Sequence, residues 1–249
     1  MRVFIEKTIK EAGNKVLSMF GKVPVKYTKK DVADVVTEAD LKSNEIITKA
    51  VNKNFPDHAI VSEEGTTVMP EGAQKLWIID PLDGTRNFSR HTPLFGISIA
   101  YVENNDVKAG AIYLPYFDEF FYSELGKGTS LNGKEVRCSD NEIFKNSFGC
   151  GGLGFNPADP KRKLLNSTSY TMWLSDFAAS SVSAAFTCCG RRDFMAQFEA
   201  FVWDYAAASI LLKESGCKVT NIGGDEWKLS DTTLFAANPV LHKQLLDVF

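Results

Sequence analysis

The stretch that most constrains this chain runs from Leu76 to Phe88. Leu76, Trp77, Ile78 and Ile79 form a short β-prone apolar run that stops at two aspartates, Asp80 and Asp83, three positions apart. Pro81 predicts an end to regular strand pairing, and Gly84 permits the tight turn that follows. Asp80 and Asp83 are therefore expected at the carboxyl end of a strand, where open α/β sheets gather their ligands. Two carboxylates on one short turn repel, so either one holds a proton at a raised pKa or a cation lies between them. A solvated turn is the competing reading, because Asp and Gly are the commonest turn residues.

The order of residues excludes two lookalikes. A haloacid-dehalogenase phosphatase needs Asp-x-Asp-Gly-Thr, and here Pro81 stands where its nucleophilic aspartate belongs. An EF-hand loop begun at Asp80 needs Gly at its sixth position and Glu at its twelfth, and it meets Thr85 and His91. Taken whole, Trp-Ile-Ile-Asp-Pro-Leu-Asp-Gly-Thr-Arg-Asn-Phe closely resembles the signature of the inositol monophosphatase family, magnesium-dependent and lithium-sensitive phosphatases.

Composition narrows the remaining classes. With 249 residues, 44% of them hydrophobic and 24% charged, the chain has an ordinary globular make-up. A formal net charge of −3 argues against a nucleic-acid or anionic-membrane surface. The basic clusters Lys26, Lys29, Lys30 and Lys161, Arg162, Lys163 are expected to be solvated loops. Five cysteines (Cys138, Cys150, Cys188, Cys189, Cys217) without Cys-x-x-Cys are a reduced pattern, and three scattered histidines offer no zinc spacing. No apolar run reaches membrane-spanning length and no leader is apparent, so a cytoplasmic location is expected.

Ile5, Ile9, Ala12, Val16 and Phe20 recur at helical spacing. A short strand is expected at 23–27, then a second helix over 41–54 with Asp40 as its N-cap. Ala59-Ile60-Val61 reads as a strand delivering Glu63-Glu64-Gly65. Beyond the central motif a short helix starts at Arg86, its amino end toward the aspartates and suited to an anion. Strands at 96–102, 107–113 and 119–124 and the Asn132-Gly133 hairpin imply antiparallel pairing. The Gly149-Cys150-Gly151-Gly152-Leu153-Gly154 run fits a dinucleotide fingerprint in letters only, since Phe155-Asn156-Pro157 and Pro160 follow it; a flexible or substrate-side loop is expected. Small residues from Asp176 to Cys189 suggest a tightly packed helix. Val202-Trp203-Asp204 opens another with Asp204 as N-cap and Gly216 as its stop.

The resemblance spans Thr37 to Gly216 and adds roles to these residues. It implies metal ligation by Glu63, Asp80, the Leu82 carbonyl, Asp83, Thr85 and Asp204, with Asp80 bridging two magnesium ions and Glu63 available to a third. Glu64 stands behind Glu63. The Thr85 hydroxyl, paired with Asp40, is implied to orient an attacking water beside Glu63 and pass on its proton. Asp83, Gly84, Thr85, Ser180, Gln197 and Asp204 are the implied substrate contacts, with the Gly84 and Thr85 amides on the phosphate.

Two departures bear on substrate. Relatives begin the 176–189 helix with Arg-x-x-Gly-Ser/Thr-Ala where this chain has Ser175 and Ala178-Ala179-Ser180, and inositol-directed relatives carry glutamate where Gln197 stands. The implied fold is an α+β or α/β layered α-β-α-β-α sandwich. It forms a single catalytic domain over 1–249, with halves of about 1–140 and 141–249 and the site between them. The implied activity is hydrolysis of a small phosphorylated polyol or sugar, of the inositol-1-phosphate type, by a homodimer. Fructose-1,6-bisphosphate, NADP, histidinol phosphate and 3′-phosphoadenosine phosphate are the alternatives within enzymes. A regulatory binding protein that keeps the fold is the alternative outside them.

Overall fold

The computed structural model describes residues 1–22, 25–28, 35–152, 173–199 and 201–249. The basic clusters at 29–30 and 161–163 and the tail of the glycine-rich run lie outside these residues.

Helix α1 (Arg2–Met19) and helix α2 (Glu38–Asn54) bury Ile5, Ile9, Ala12 and Val16, and Ala39, Ile47 and Val51, at the one-face spacing of an amphipathic helix. Between them, β1 (Val25–Thr28) and β2 (Val35–Thr37) form an antiparallel ribbon. Seven strands then make one sheet in chain order: β3 (Ala59–Ser62), β4 (Lys75–Asp83), β5 (Gly96–Glu103), β6 (Asp106–Leu114), β7 (Glu119–Glu124), β8 (Thr129–Leu131) and β9 (Lys134–Val136). Only β3 and β4 pair in parallel; the rest is the expected meander.

The two-residue period of these strands sorts their side chains. Trp77, Ile79, Ile99, Tyr101, Ala111 and Tyr113 pack under α1 and α2. Ile78, Ala100, Val102, Ile112 and Phe121 face the other way, onto α4 (Ser180–Cys188) and α5 (Val202–Glu214). On the far side of those helices lies a second sheet, ordered β11 (Trp173–Ser175), β10 (Phe148–Gly151), β12 (Phe194–Gln197), β14 (Leu234–Ala237) and β13 (Lys218–Thr220). Its outer face is covered by α6 (Pro239–Leu246) through Leu241 and Leu245. The layers therefore alternate α-β-α-β-α, the sandwich that the motif implied. The middle helices are rich in alanine and serine because both flanks are buried, and short side chains let two sheets close on one helix layer.

Several local expectations are corrected. Pro81 does not end pairing: β4 continues through Asp83, and the register shift between Asp80↔Ser98 and Asp83↔Gly96 is a bulge that absorbs the residue unable to donate. The glycine run is no loop at 148–151 but the strand β10, parallel to both of its neighbours. A Cβ on Gly149 would collide with the Phe194 ring, so the glycine serves sheet packing, not a nucleotide. Helix α4 begins at Ser180, later than Asp176, because Ala178 is left-handed at φ 50° and the Asp176 carboxylate accepts its amide instead.

Asp40 and Asp204 are not N-caps. The caps are Thr37 and Phe201, and each aspartate is the third residue of its helix, reaching back to the cap amide at 2.8 Å. The threonine hydroxyl three positions earlier takes the role first given to Asp40, accepting the Ala39 amide.

Candidate active site

The β4 bulge turns the ends of Asp80 and Asp83 toward the amino end of α5, where Asp204 projects from the first turn. Carboxylate oxygens of Asp80, Asp83 and Asp204 lie within 4.8 Å of one another. Asp80 is 1% exposed and Asp83 9%, so little water screens them. Burial drives the Asp80 carboxyl well above its usual range, and the charges of Glu63, Asp83 and Asp204 push the same way. Burial and the Asp83 charge bring Asp204 up to about 8. Asp83 is also raised by burial, against hydrogen bonds from Ser181 and Ser180 that favour its ionised form.

Other contacts fix which way each carboxylate points. Asp80 Oδ1 accepts the Leu82 amide at 3.1 Å, which leaves Oδ2 without a donor among the described residues. Asp83 Oδ2 accepts the Ser181 amide at 2.6 Å and the Ser181 hydroxyl. Asp204 divides its oxygens between the Phe201 amide at 2.8 Å and the Ser180 hydroxyl at 3.3 Å. Buried anions facing one another without a matching cation are costly, and hard oxygens in this number suit a divalent metal such as magnesium. The donor set thus fits a metal.

Glu63 follows β3 and its amide donates to Ile79 O at 3.2 Å, beside the strand that carries Asp80. It stands outside the tightest three, yet its charge raises both Asp80 and Asp204. Glu64 is turned to α2: its carbonyl accepts from Asn44 at 3.2 Å and its charge raises Asp40.

Next to the cluster, Thr85 Oγ1 lies 2.8 Å from Asp40 Oδ1 and 2.9 Å from the Leu82 carbonyl. A hydroxyl has one proton for these two acceptors, and its lone pairs stay open to a further donor such as water. Asp40 is 2% exposed, and burial carries its carboxyl up to about 6 against hydrogen bonds from Thr37 and Thr85. The turn itself is held by the Ser43 hydroxyl on Pro81 O at 2.6 Å. Gly84, left-handed at φ 85°, caps the short helix α3 (Thr85–Ser89).

Two substrate candidates are already engaged. Ser180 donates to Asp204, and Gln197 Oε1 accepts the Gly152 amide. Three contacts went unnoticed in sequence: Ser181 on Asp83, Ser43 on the turn, and Asn87, whose amide joins Leu94 O and Phe177 O, each at 2.7 Å. Of these only Ser181 left a signal, as part of the small-residue run at a helix start.

Comparison with known proteins identifies a family. The model of the inositol monophosphatase family matches residues 1–249. The chain belongs to that family. A fructose-1,6-bisphosphatase/inositol-1-monophosphatase of Thermotoga maritima is 33% identical over 246 residues, 98% of this chain and 94% of its own. A Nus factor SuhB of Pseudomonas aeruginosa is 33% identical over 230 residues, 89% of this chain and 85% of its own. Among solved structures, the extragenic suppressor protein suhB of Bartonella henselae superposes with a TM-score of 0.92 at 27% identity, covering 99% of this chain and 97% of that one. Membership makes this inositol monophosphatase family protein a phosphoric monoester hydrolase, with three acidic side chains able to hold metal. Among the described residues no helix is long and apolar enough to cross a membrane.

Proposed function

We propose that this protein hydrolyses a small phosphorylated polyol or sugar, of the inositol-1-phosphate type, with magnesium held at the Asp80, Asp83 and Asp204 cluster. The observation that carries the reading is the convergence of those three carboxylates from two distant parts of the chain within 4.8 Å. Glu63, the Leu82 carbonyl and Thr85 complete the donor set for two or three ions. Bound there, magnesium would supply Lewis-acid chemistry: a more acidic water and a stabilised leaving oxygen.

The chain's own residues do the rest. Thr85 is held by Asp40 so that its oxygen can accept from a water, and Asp40 takes the proton released through that hydroxyl. The bond from Thr37 to Asp40 Oδ2, at 2.6 Å, keeps the receiving carboxylate still. The Gly84 and Thr85 amides, at the start of α3, orient the phosphate. Because the carboxylates come from both sides of residue 140, one catalytic domain with its site between two halves fits this reading. A cytoplasmic homodimer goes with it; five free cysteines support the compartment, and solution scattering reads the dimer mass.

Gln197 and Ser180 bear on selectivity. With Gln197 Oε1 engaged by Gly152, the hydroxyl contact made by a glutamate in inositol-directed relatives is weakened, which keeps fructose-1,6-bisphosphate and nucleotide phosphates in the substrate panel. The test is phosphate release from that panel with magnesium, with and without lithium. Release from a sugar or polyol phosphate that stops on chelation is expected; no release from any member would favour a regulatory role.

A further inference from the structure

Four of the chain's five cysteines fall into two groups that the proposed phosphatase reaction does not use. Cys150 and Cys188 are fully buried and burial pushes both thiols up, Cys150 to about 11, which keeps them protonated and unreactive. Cys138 and Cys217 are differently placed. Cys138 follows β9, at the far edge of the seven-stranded sheet, whereas Cys217 immediately precedes β13 of the five-stranded sheet, at the exit of α5. The segments are pinned together by the Cys138 amide on Ser215 O at 3.0 Å. Cys138 Sγ lies 3.6 Å from where a Gly216 side chain would begin, and Gly216, left-handed at φ 102°, turns the next residue back toward it.

We infer that Cys138 and Cys217 are an oxidation site that closes into a reversible disulfide when a peroxide reaches it, joining the two sheets across α5. The separation along the chain is large, but the contacts of Cys138 with Ser215 and Gly216 bring the two thiols within reach of each other, and that proximity is the largest influence on each. It lowers Cys138 below the ordinary thiol range and raises Cys217 well above it. A pair split in this way contains one thiol suited to attack and one held in reserve. Access exists as well: Cys138 is half-buried, and Cys217 lines a cavity of about 1030 Å³ with Trp227, Lys213 and Met69.

The chemistry balances. The Cys138 thiolate attacks one peroxide oxygen, the O–O bond breaks, and hydroxide leaves a sulfenic acid behind. The Cys217 thiol then attacks that sulfur, the S–O bond breaks, and the oxygen departs as water with the Cys217 proton. The proton first lost from Cys138 turns the hydroxide into a second water. Two thiols are oxidised to one disulfide, and one hydrogen peroxide is reduced to two waters.

The experiment uses the full chain, with hydrogen peroxide as the probe. Brief exposure is expected to lower the intact mass by two daltons, and digestion under non-reducing conditions to yield one cross-linked peptide pair containing Cys138 and Cys217. Dithiothreitol restores the starting mass. Cys138→Ser and Cys217→Ser should each abolish the loss, and the oxidised wild type should melt at a higher temperature than the reduced form, because the bond closes a long loop. A stable gain of oxygen on either cysteine, pairing with Cys188 or Cys189, or an unchanged mass would each overturn the inference. Phosphate release plays no part in this readout, so its failure and that of the proposed reaction are separate results.

Discussion

Replacing Asp204 with asparagine should move stability and activity in opposite directions. In the metal-free protein, carboxylate oxygens within 4.8 Å repel by about 3 kcal/mol per pair at an effective dielectric near 20. Burial and this repulsion together favour protonation, and Asp204 rises to about 8. The sign follows from linkage. A carboxyl whose folded pKa lies above its unfolded value contributes full stability only below about pH 4, and that contribution is lost as pH climbs toward 8. At pH 7 the unfolded chain holds Asp204 ionised while the folded one must keep a proton or bear the repulsion.

The asparagine of the Asp204→Asn variant carries no such cost, and its side-chain oxygen can still accept from the Phe201 amide. Allowing for coupling within the cluster, the gain at pH 7 in chelator is roughly 2 kcal/mol, or about 4–8 °C in a chain of this size. The same change removes a metal ligand, and phosphate release should fall by about 10²-fold or more. Differential scanning fluorimetry in chelator and then in magnesium reads both effects: the variant starts higher and gains little from magnesium, whereas the wild type starts lower and gains much. A variant that melts below the wild type in chelator, or that turns over at the wild-type rate, would refute the argument.

Three further outcomes follow from other parts of the structure. Asp40→Asn removes the proton acceptor behind Thr85, so kcat should fall by about 10²-fold, and the decline of wild-type activity as pH drops through about 6 should be absent from whatever remains. Gly84→Ala forces a side chain onto φ 85° with its Cβ 2.8 Å from the Leu94 carbonyl, and should cost about 2–3 kcal/mol in denaturant unfolding; a loss under about 0.5 kcal/mol contradicts this. His242 is fully buried with Nε2 3.0 Å from the Thr220 hydroxyl, and burial lowers it to about 4. The folded pKa lies below the unfolded one, so its share of stability, about 2 kcal/mol, is present above pH 6.5 and lost down to pH 4; it should show as a pH-dependent difference from His242→Leu and as a low NMR midpoint.

How far the sequence reached depends on what kind of signal each element left. The meander β5 to β9 was legible to within a residue or two because alternating side chains and the Asn132-Gly133 turn are local facts. The strand at Gly149 was not, since its glycines mark contact with Phe194, which lies far along the chain. The bulge at Pro81 was read as a stop because a missing amide can end a strand or be passed over by one extra residue, and only the partner strand decides which. Asp80, Asp83 and Asp204 could be named from motif resemblance. Their convergence could not be derived from spacing, because it depends on α5 lying between two sheets.

The displacement of both helix starts by three residues points to something the two aspartates share. Asp40 and Asp204 each occupy the third position of a helix and give one oxygen to the amide of the cap residue, 2.8 Å away in both cases. The other oxygen is turned toward the site, to Thr85 from Asp40 and to Ser180 from Asp204. A carboxylate anchored this way cannot rotate without uncapping its helix, at a cost of about 1 kcal/mol. Each working oxygen is therefore held in place by a bond that would exist for stability alone. Asparagine at either position keeps the anchor and loses the charge, whereas alanine loses both. Comparing the two substitutions at each position separates the helix from the chemistry: activity should be low in all four variants, and each alanine variant should be about 1 kcal/mol less stable than the asparagine variant at the same position.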